Sequence, residues 1–391
     1  MDPVAPADPP QFSPVENDLP LRAWRRTQLV PAHGLGAVRR ALLLALFAWL
    51  PIACWAAAKG HFSTAPVEES LLAHYGVHVR CWIVIPCLIL AEEMLHRVGT
   101  HITAQFATSG VIPAELRSQF SGVIGSVTRL RDSLLPWMIA LGIAVAVSIV
   151  DGPSAQDDRI AWAVGPDGQV GFGGLWFGYV VRPIVGGLLL GWIWRLALVT
   201  VLMWRVGRLP LALVATHPDR TGGIGFVQTI PRGFAPVTFA TAAILVGRWA
   251  HEVVYHGAAL AQFQPVAITY AIVWSVALLM PLFALCPILF STRKRALPLY
   301  AALVGEQARL VHRRWIERKQ IEDEDGLEKA GIGVMADAAT VYGQVKSMRV
   351  LPIGRRTLLA IVVPMAIPFL VLVMLKFPLK AILLTLVQVL A

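Results

Sequence analysis

The chain has 391 residues, 56% of them hydrophobic and only 15% charged, and a mean hydropathy of +0.64. That balance is too apolar for a soluble domain and fits a helical bundle that crosses a membrane several times. The net charge of +10 does not mark a nucleic-acid binder, because the basic residues gather in alternate loops. Cys54, Cys81, Cys87 and Cys286 lie in apolar runs, with no CxxC pair and no clustered histidines, which excludes a disulfide framework and a structural zinc site.

Residues 1–37 are polar and proline-rich and read as a disordered cytoplasmic N-terminus, with disorder expected above all over residues 1–20. No small-residue cleavage site follows the first apolar run, so that run is expected to stay as a span. Residues 38–291 form the expected six-span unit. Its first span is Ala41 to Ala58, introduced by Arg39 and Arg40. The second, Tyr75 to Leu95, is the weakest: Arg80 stands near one end and Glu92, Glu93 and His96 at the other. Residues 97–133 read as helical, and Leu134 to Val150 is the third span. A long stretch from Gly173 to Leu209 is the fourth, Phe234 to Val254 the fifth and Val266 to Phe290 the sixth. Residues 292–356 make a charged helical insert broken by EDEDG at 322–326. Thr357 to Leu375 is a seventh span, and the apolar tail after Pro378 is too short to cross as a helix.

With the N-terminus inside, the segments 1–40, 97–133, 205–232 and 292–356 hold 26 of the 34 lysines and arginines. Positive residues favour the cytoplasmic side of a membrane. The expected topology is therefore seven spans in the cytoplasmic (inner) membrane, N-terminus inside and C-terminus outside. The fold class is all-α.

The fourth span carries two charges that a bilayer penalises, Arg182 and Arg195. Ionisable groups at membrane depth face protein or water and often line ion routes. Gly174, Gly178 and Arg182 are spaced by four, as are Gly187, Gly191 and Arg195, so each arginine ends a stripe of small residues on one helix face. Arg195 is expected near mid-membrane. At the far end of the fifth span, Arg248, Glu252 and His256 follow at four-residue spacing and form a basic, acidic and imidazole stripe. HEVVYH is not HExxH, so a zinc-protease reading fails on spacing. Glu93 and His96 form an ExxH pair without a second one at its depth, which leaves an ion pair with Arg97 or a neighbouring loop arginine in place of a di-iron site.

HPDRTGGIGF at 217–226, within an inner loop at 216–226, is the most distinctive local pattern. Pro218 with Gly222, Gly223 and Gly225 forces a turn, and Asp219 can cap it. TGGIG is neither a Walker loop nor a GxGxxG after a strand, so a phosphate cradle is disfavoured. His217 and Asp219 are the residues an enzyme at the inner surface would use.

HPDRTGGIGF after a Trp/Arg-rich span, GIGVMADAATVYGQVKSMRVLP at 331–352 and the proline-broken apolar C-terminus together resemble a family of bacterial multi-pass inner-membrane proteins with an HPDxxGGxGF loop. The resemblance covers about residues 175–391. It implies a helical integral membrane protein and carries no activity or catalytic residue.

From the residues themselves, the leading expectation is a transporter or channel without cofactor or metal. An anion is favoured because Arg182, Arg195 and Arg248 outnumber the embedded carboxylates, of which Glu252 is the best candidate. The alternatives are a non-transporting sensor or scaffold whose insert binds a cytoplasmic protein, and a membrane enzyme using His217 and Asp219. The lipid bilayer is the one partner common to all three.

Overall fold

The computed structural model describes residues 11–26, 35–63, 70–154, 158–164, 167–317 and 332–376. It is all-α, and its sole extended pairing among the described residues is an isolated bridge between Val164 and Val170. After a short helix α1 (Leu19–Arg26) come α2 (Ala37–Ala58) and α3, which runs without a break through Tyr75–His78, Val79–Val84 and Ile85–Thr108. Next are α4 (Arg117–Arg131), α5 (Leu135–Val150) and α6 (Phe172–Val206). A loop and a 3-10 turn lead to α7 (Ala235–Tyr255), followed by α8 (Gln264–Phe283), α9 (Cys286–Val311), α10 (Ile332–Lys346) and α11 (Arg355–Lys376).

Among the described residues, six helical stretches are long and apolar enough to cross a membrane: Ala37–Ala58, Ala114–Val150, Phe172–Val206, Gly225–Tyr255, Leu260–Phe283 and Arg355–Lys376. They correspond to six of the seven expected spans. The missing one is α3, whose polar residues are tolerated because it packs inside the bundle against α2, α6 and α7. The sixth span is shorter than expected. It ends at Phe283, where the chain turns at Ala284–Leu285 before α9 starts with Pro287 in its first turn.

Small residues decide how closely the helices approach. On α5 the buried residues are Ala140, Ala144 and Ser148, spaced by four, while its remaining faces show large apolar side chains outward. Gly186 of α6 packs there, its missing Cβ only 3.2 Å from Ala144 Cβ. Gly191 similarly makes room for Trp137. Of the expected stripes, Gly187 has nothing beside it, so Gly186 takes its place. Gly174 and Gly178 pack on Val170 and Pro153 of the preceding loop, not on a helix.

Both long central helices carry the same local irregularity. Val79–Val84 in α3 and Phe177–Val181 in α6 are π-helical turns, each followed within two residues by a proline, Pro86 and Pro183. A proline lacks the N–H that an α-helix needs, and a π-turn absorbs the mismatch. The two irregular turns adjoin, with the Arg80 guanidinium 5.7 Å from the Phe177 ring.

The N-terminus departs from expectation. Residues 11–26 are not disordered but form a strap across α3, α4 and α6. Phe12 N–H donates to Thr103 Oγ1 at 3.1 Å, and Arg131 donates to Ser13 O at 2.8 Å. His96 Nδ1 lies 2.8 Å from Ser13 Oγ. Gly99 permits the approach, since a Cβ there would stand 2.8 Å from Pro14 Cδ and 3.0 Å from Phe12 O. Phe12, Val15 and Leu21 are buried as a result. The strap escaped detection because the charged and proline residues of this segment outweigh its three apolar anchors. Residues 1–10, the EDEDG break and the C-terminal tail lie outside the described residues.

Candidate functional site

The strap ends on a cluster of four charges. Asp18 is the N-cap of α1, its Oδ1 accepting from Leu21 N–H at 3.0 Å, a standard use of aspartate at a helix start. Its other oxygen, Oδ2, accepts from Arg195 on α6 at 2.7 Å. The same Arg195 nitrogen donates to Glu92 Oε1 of α3 at 2.7 Å, and Glu92 Oε2 accepts from Arg40 of α2 at 2.6 Å. Arg40 also donates through Nε to Leu35 O at 2.9 Å. Two positive and two negative groups therefore alternate in one chain, Asp18, Arg195, Glu92, Arg40, with side chains 1–3% exposed. Electroneutrality is what permits such burial, because an unpaired charge there costs several kcal/mol.

Two indoles complete the surroundings. The Arg195 guanidinium is 5.0 Å from the Trp192 ring and 5.6 Å from Trp137, within the range of cation–π attraction. Trp192 is itself fixed by a hydrogen bond from Nε1 to Leu88 O at 3.1 Å. Arg195 Nε is buried and has no acceptor among the described residues. Burial pushes the Asp18 carboxyl above its ordinary value; the charge of Arg195 pulls it down, and that of Glu92 adds to the rise.

The cluster also fixes the depth of Arg195. Arg40 lies in the first turn of α2 and Trp137 in the first turn of α5. Arg195 is therefore level with the first turns of those two helices. The reason is length: α6 has 35 residues, about 52 Å at 1.5 Å per residue, against a hydrocarbon core of about 30 Å. Its last turns continue beyond the cluster and pack on α4, where Arg205 donates to Ser126 Oγ.

The other expected arginines lie apart from this cluster and from each other. Arg182 donates to Asp151 O at 2.6 Å, with the Asp151 carboxylate 3.4 Å away. Arg248 is half exposed and 3.6 Å from Glu252, the expected i,i+4 pair. His256 Nδ1 and Nε2 aside, its backbone N–H caps α7 on Glu252 O, and its ring meets His251 at 5.3 Å. His251 is buried and stacks on His74 at 4.6 Å. Glu93 pairs with Arg97 at 2.5 Å, as expected, while His96 turns to the strap.

Glu92, Asp18 and Arg40 are the residues that sequence reasoning passed over. Glu92 had a signal: Ile85, Leu88, Glu92, Leu95 and Ile102 share one face of α3, and that face is buried. Asp18, preceding Leu19 and Pro20, has the form of an N-cap. Arg40 was indistinguishable from Arg39.

The HPD loop is built around Asp219. Its Oδ1 accepts from Thr221 N–H at 2.7 Å and Gly223 N–H at 3.2 Å, and its Oδ2 from Gly223 at 3.1 Å and Gly225 at 2.7 Å. Arg220, Gly222 and Gly223 have φ of 58°, 69° and 97°, which curls these amides round the carboxylate. His217 Nδ1 is 2.9 Å from Oδ1. Burial raises the Asp219 carboxyl, but the backbone donors and His217 outweigh it and hold the group below its ordinary value. The anion that this glycine-rich loop cradles is its own aspartate. Arg349 N–H donates to Arg220 O at 2.6 Å, and Gly222 lies against Met348. The 217–226 motif thus meets the end of the 331–352 motif at Met348 and Arg349. No group of three or more His, Cys, Asp or Glu residues placed to hold a metal occurs among the described residues.

Fold and site together define an integral membrane protein of several helical spans, with a buried electroneutral charge network at the end where α2 and α5 begin. Comparison of the chain with family models, with curated proteins and with solved structures gave no match.

Proposed function

We propose that the protein is a transporter or channel of the cytoplasmic membrane, selective for anions and closed at its inner end by its own N-terminal strap. The carrying observation is that Asp18 brings a carboxylate from outside the spans onto Arg195. Asp18 then stands where a substrate anion would bind. When the strap leaves, the remaining Arg195, Glu92 and Arg40 carry a net positive charge, with Arg195 Nε still free to donate. The paired π-turns with Pro86 and Pro183 supply a bendable layer in both helices that hold the cluster. The distribution of basic residues supports a reading with the strap and the HPD loop on the cytoplasmic side and residue 376 on the external side.

The test is chloride efflux from liposomes containing the purified chain. Asp18→Asn weakens the lock by roughly 1.5 kcal/mol and raises the open fraction, hence efflux, about tenfold. Arg195→Gln abolishes efflux. Normal folding of Asp18→Asn without any gain in chloride, phosphate or sulfate flux would refute the proposal.

One observation favours a second reading. The far half of α9 and the turn after it show Leu299, Leu303, Trp315 and Ile316 outward. Such a row beyond the membrane suits a sensor or scaffold that binds a cytoplasmic protein. Crosslinking in native membranes should then recover a partner that Leu299→Glu loses; recovery of none counts against this reading.

A further inference from the structure

A cleft of about 640 Å³ opens beside the charge cluster, between the strap, the start of α2 and the middle of α3. Its walls carry Arg25, Arg39, Arg97 and His96 against two carboxylates, Glu16 and Glu93. The volume is in the range of small-ligand sites. Arg97 leans on Glu93 and Arg25 on Asn17, whereas Arg39 makes no ion pair with a described residue.

What the walls do one turn further along decides the ligand. On α2 Val38 stands beside Arg39, and Leu42 and Leu46 follow at four-residue spacing, all exposed. On α3 Met94 stands beside Glu93 and Leu90 about one turn from it, both exposed. Both walls therefore change from charged to outward-facing apolar within about 5 Å, the rise of one helical turn. A free phosphate would use only the basic part. A phospholipid uses both, its phosphate against the guanidiniums and its acyl chains along the Val38–Leu42–Leu46 row.

We propose that this cleft binds the headgroup of an anionic phospholipid. The site adjoins the lock residue by residue, Arg39 beside Arg40 and Glu93 beside Glu92, and its third wall is the strap itself. A lipid seated there braces the strap in its docked position. The proposal concerns lipid recognition and stands whether or not the protein transports anything.

Native mass spectrometry of the detergent-solubilised full chain, titrated with phosphatidylglycerol or with phosphatidylcholine of the same acyl chains, tests it. Phosphatidylglycerol is expected to bind in preference. Each arginine near a membrane surface contributes about 1 kcal/mol towards anionic lipid, so Arg39→Gln and Arg97→Gln each weaken its binding about fivefold and together about thirtyfold. Phosphatidylcholine binding stays unchanged. Both arginines are exposed, so the variants fold, and their thermal melts should match the wild type. Equal binding of the two lipids, or an unaltered double variant, overturns the proposal. Displacement of phosphatidylglycerol by inorganic phosphate at comparable concentration overturns the lipid assignment in favour of a free anion.

Discussion

Replacing Glu92 with glutamine tests the charge cluster most directly. Glutamine keeps the shape and can still accept hydrogen bonds, so the loss is one unit of charge. Four groups that sum to zero then sum to +1: of the two guanidiniums at 2.6 and 2.7 Å from the former carboxylate, Arg195 keeps Asp18 and Arg40 loses its carboxylate partner. At 1–3% exposure no solvent screens the excess. Breaking a buried pair from one side costs about 3–5 kcal/mol, and Glu92→Gln should lose that much. Asp18→Asn also leaves +1 but should cost less, about 1.5 kcal/mol, the low end for a hydrogen bond to a charged group. Asparagine still caps α1 as well as aspartate does, Arg195 keeps Glu92, and burial already disfavours the ionised Asp18. Restoring neutrality by Glu92→Gln with Arg40→Gln should recover part of the loss, leaving Asp18 and Arg195 as a balanced pair. Equilibrium unfolding in mixed detergent micelles, followed by tryptophan fluorescence, gives the three values. A Glu92→Gln variant within about 1 kcal/mol of wild type, or an Asp18→Asn variant equally damaged, would refute the reasoning.

The HPD loop and the strap give two more predictions. Asp219→Ala removes the acceptor for three backbone N–H groups at about 1.5–3 kcal/mol for each bond to a charged group, so amide exchange at residues 221–225 should rise while α6 and α7 stay protected. Because the fold holds the Asp219 carboxyl below its ordinary value, its contribution is complete above the unfolded value near 4 and is lost as pH falls through the folded one. Protection in the loop, taken relative to the intrinsic exchange rate at each pH, should therefore fall under acid conditions in the wild type and show no such loss in Asp219→Ala. Gly99→Val drives a side chain into Pro14 and Phe12 O, so limited proteolysis should cut within residues 12–26 at a rate well above wild type, without loss of the bundle's melting transition. Unchanged cleavage would mean that the strap does not depend on that contact.

Hydropathy made the spans legible, since six of the seven expected segments recur as long apolar helices. It said less about α3, where position inside the bundle, not composition, decides what is tolerated. The arginines were legible as costly, and that cost does shape the site, but their partners were not. Asp18 and Arg195 are 177 residues apart, and local spacing carries no trace of a contact at that separation. Counting charges along the spans therefore gave an excess of arginine that the fold cancels from outside the spans. The Gly-rich loop shows the opposite case. Asp219 and its donors lie within six residues, and the turn they build follows from the local order of Asp and Gly.

The alternation of charges along the cluster also orders its assembly. Arg40 and Glu92 belong to α2 and α3, so the ribosome delivers a neutral pair before Arg195 exists. Arg195 emerges about a hundred residues later, needing a negative partner that the finished pair has already committed. Asp18, synthesised first and docked last, supplies it. The strap can close only on a bundle whose α6 is in place, and its docking thus marks the moment when α6 has joined α2 and α3.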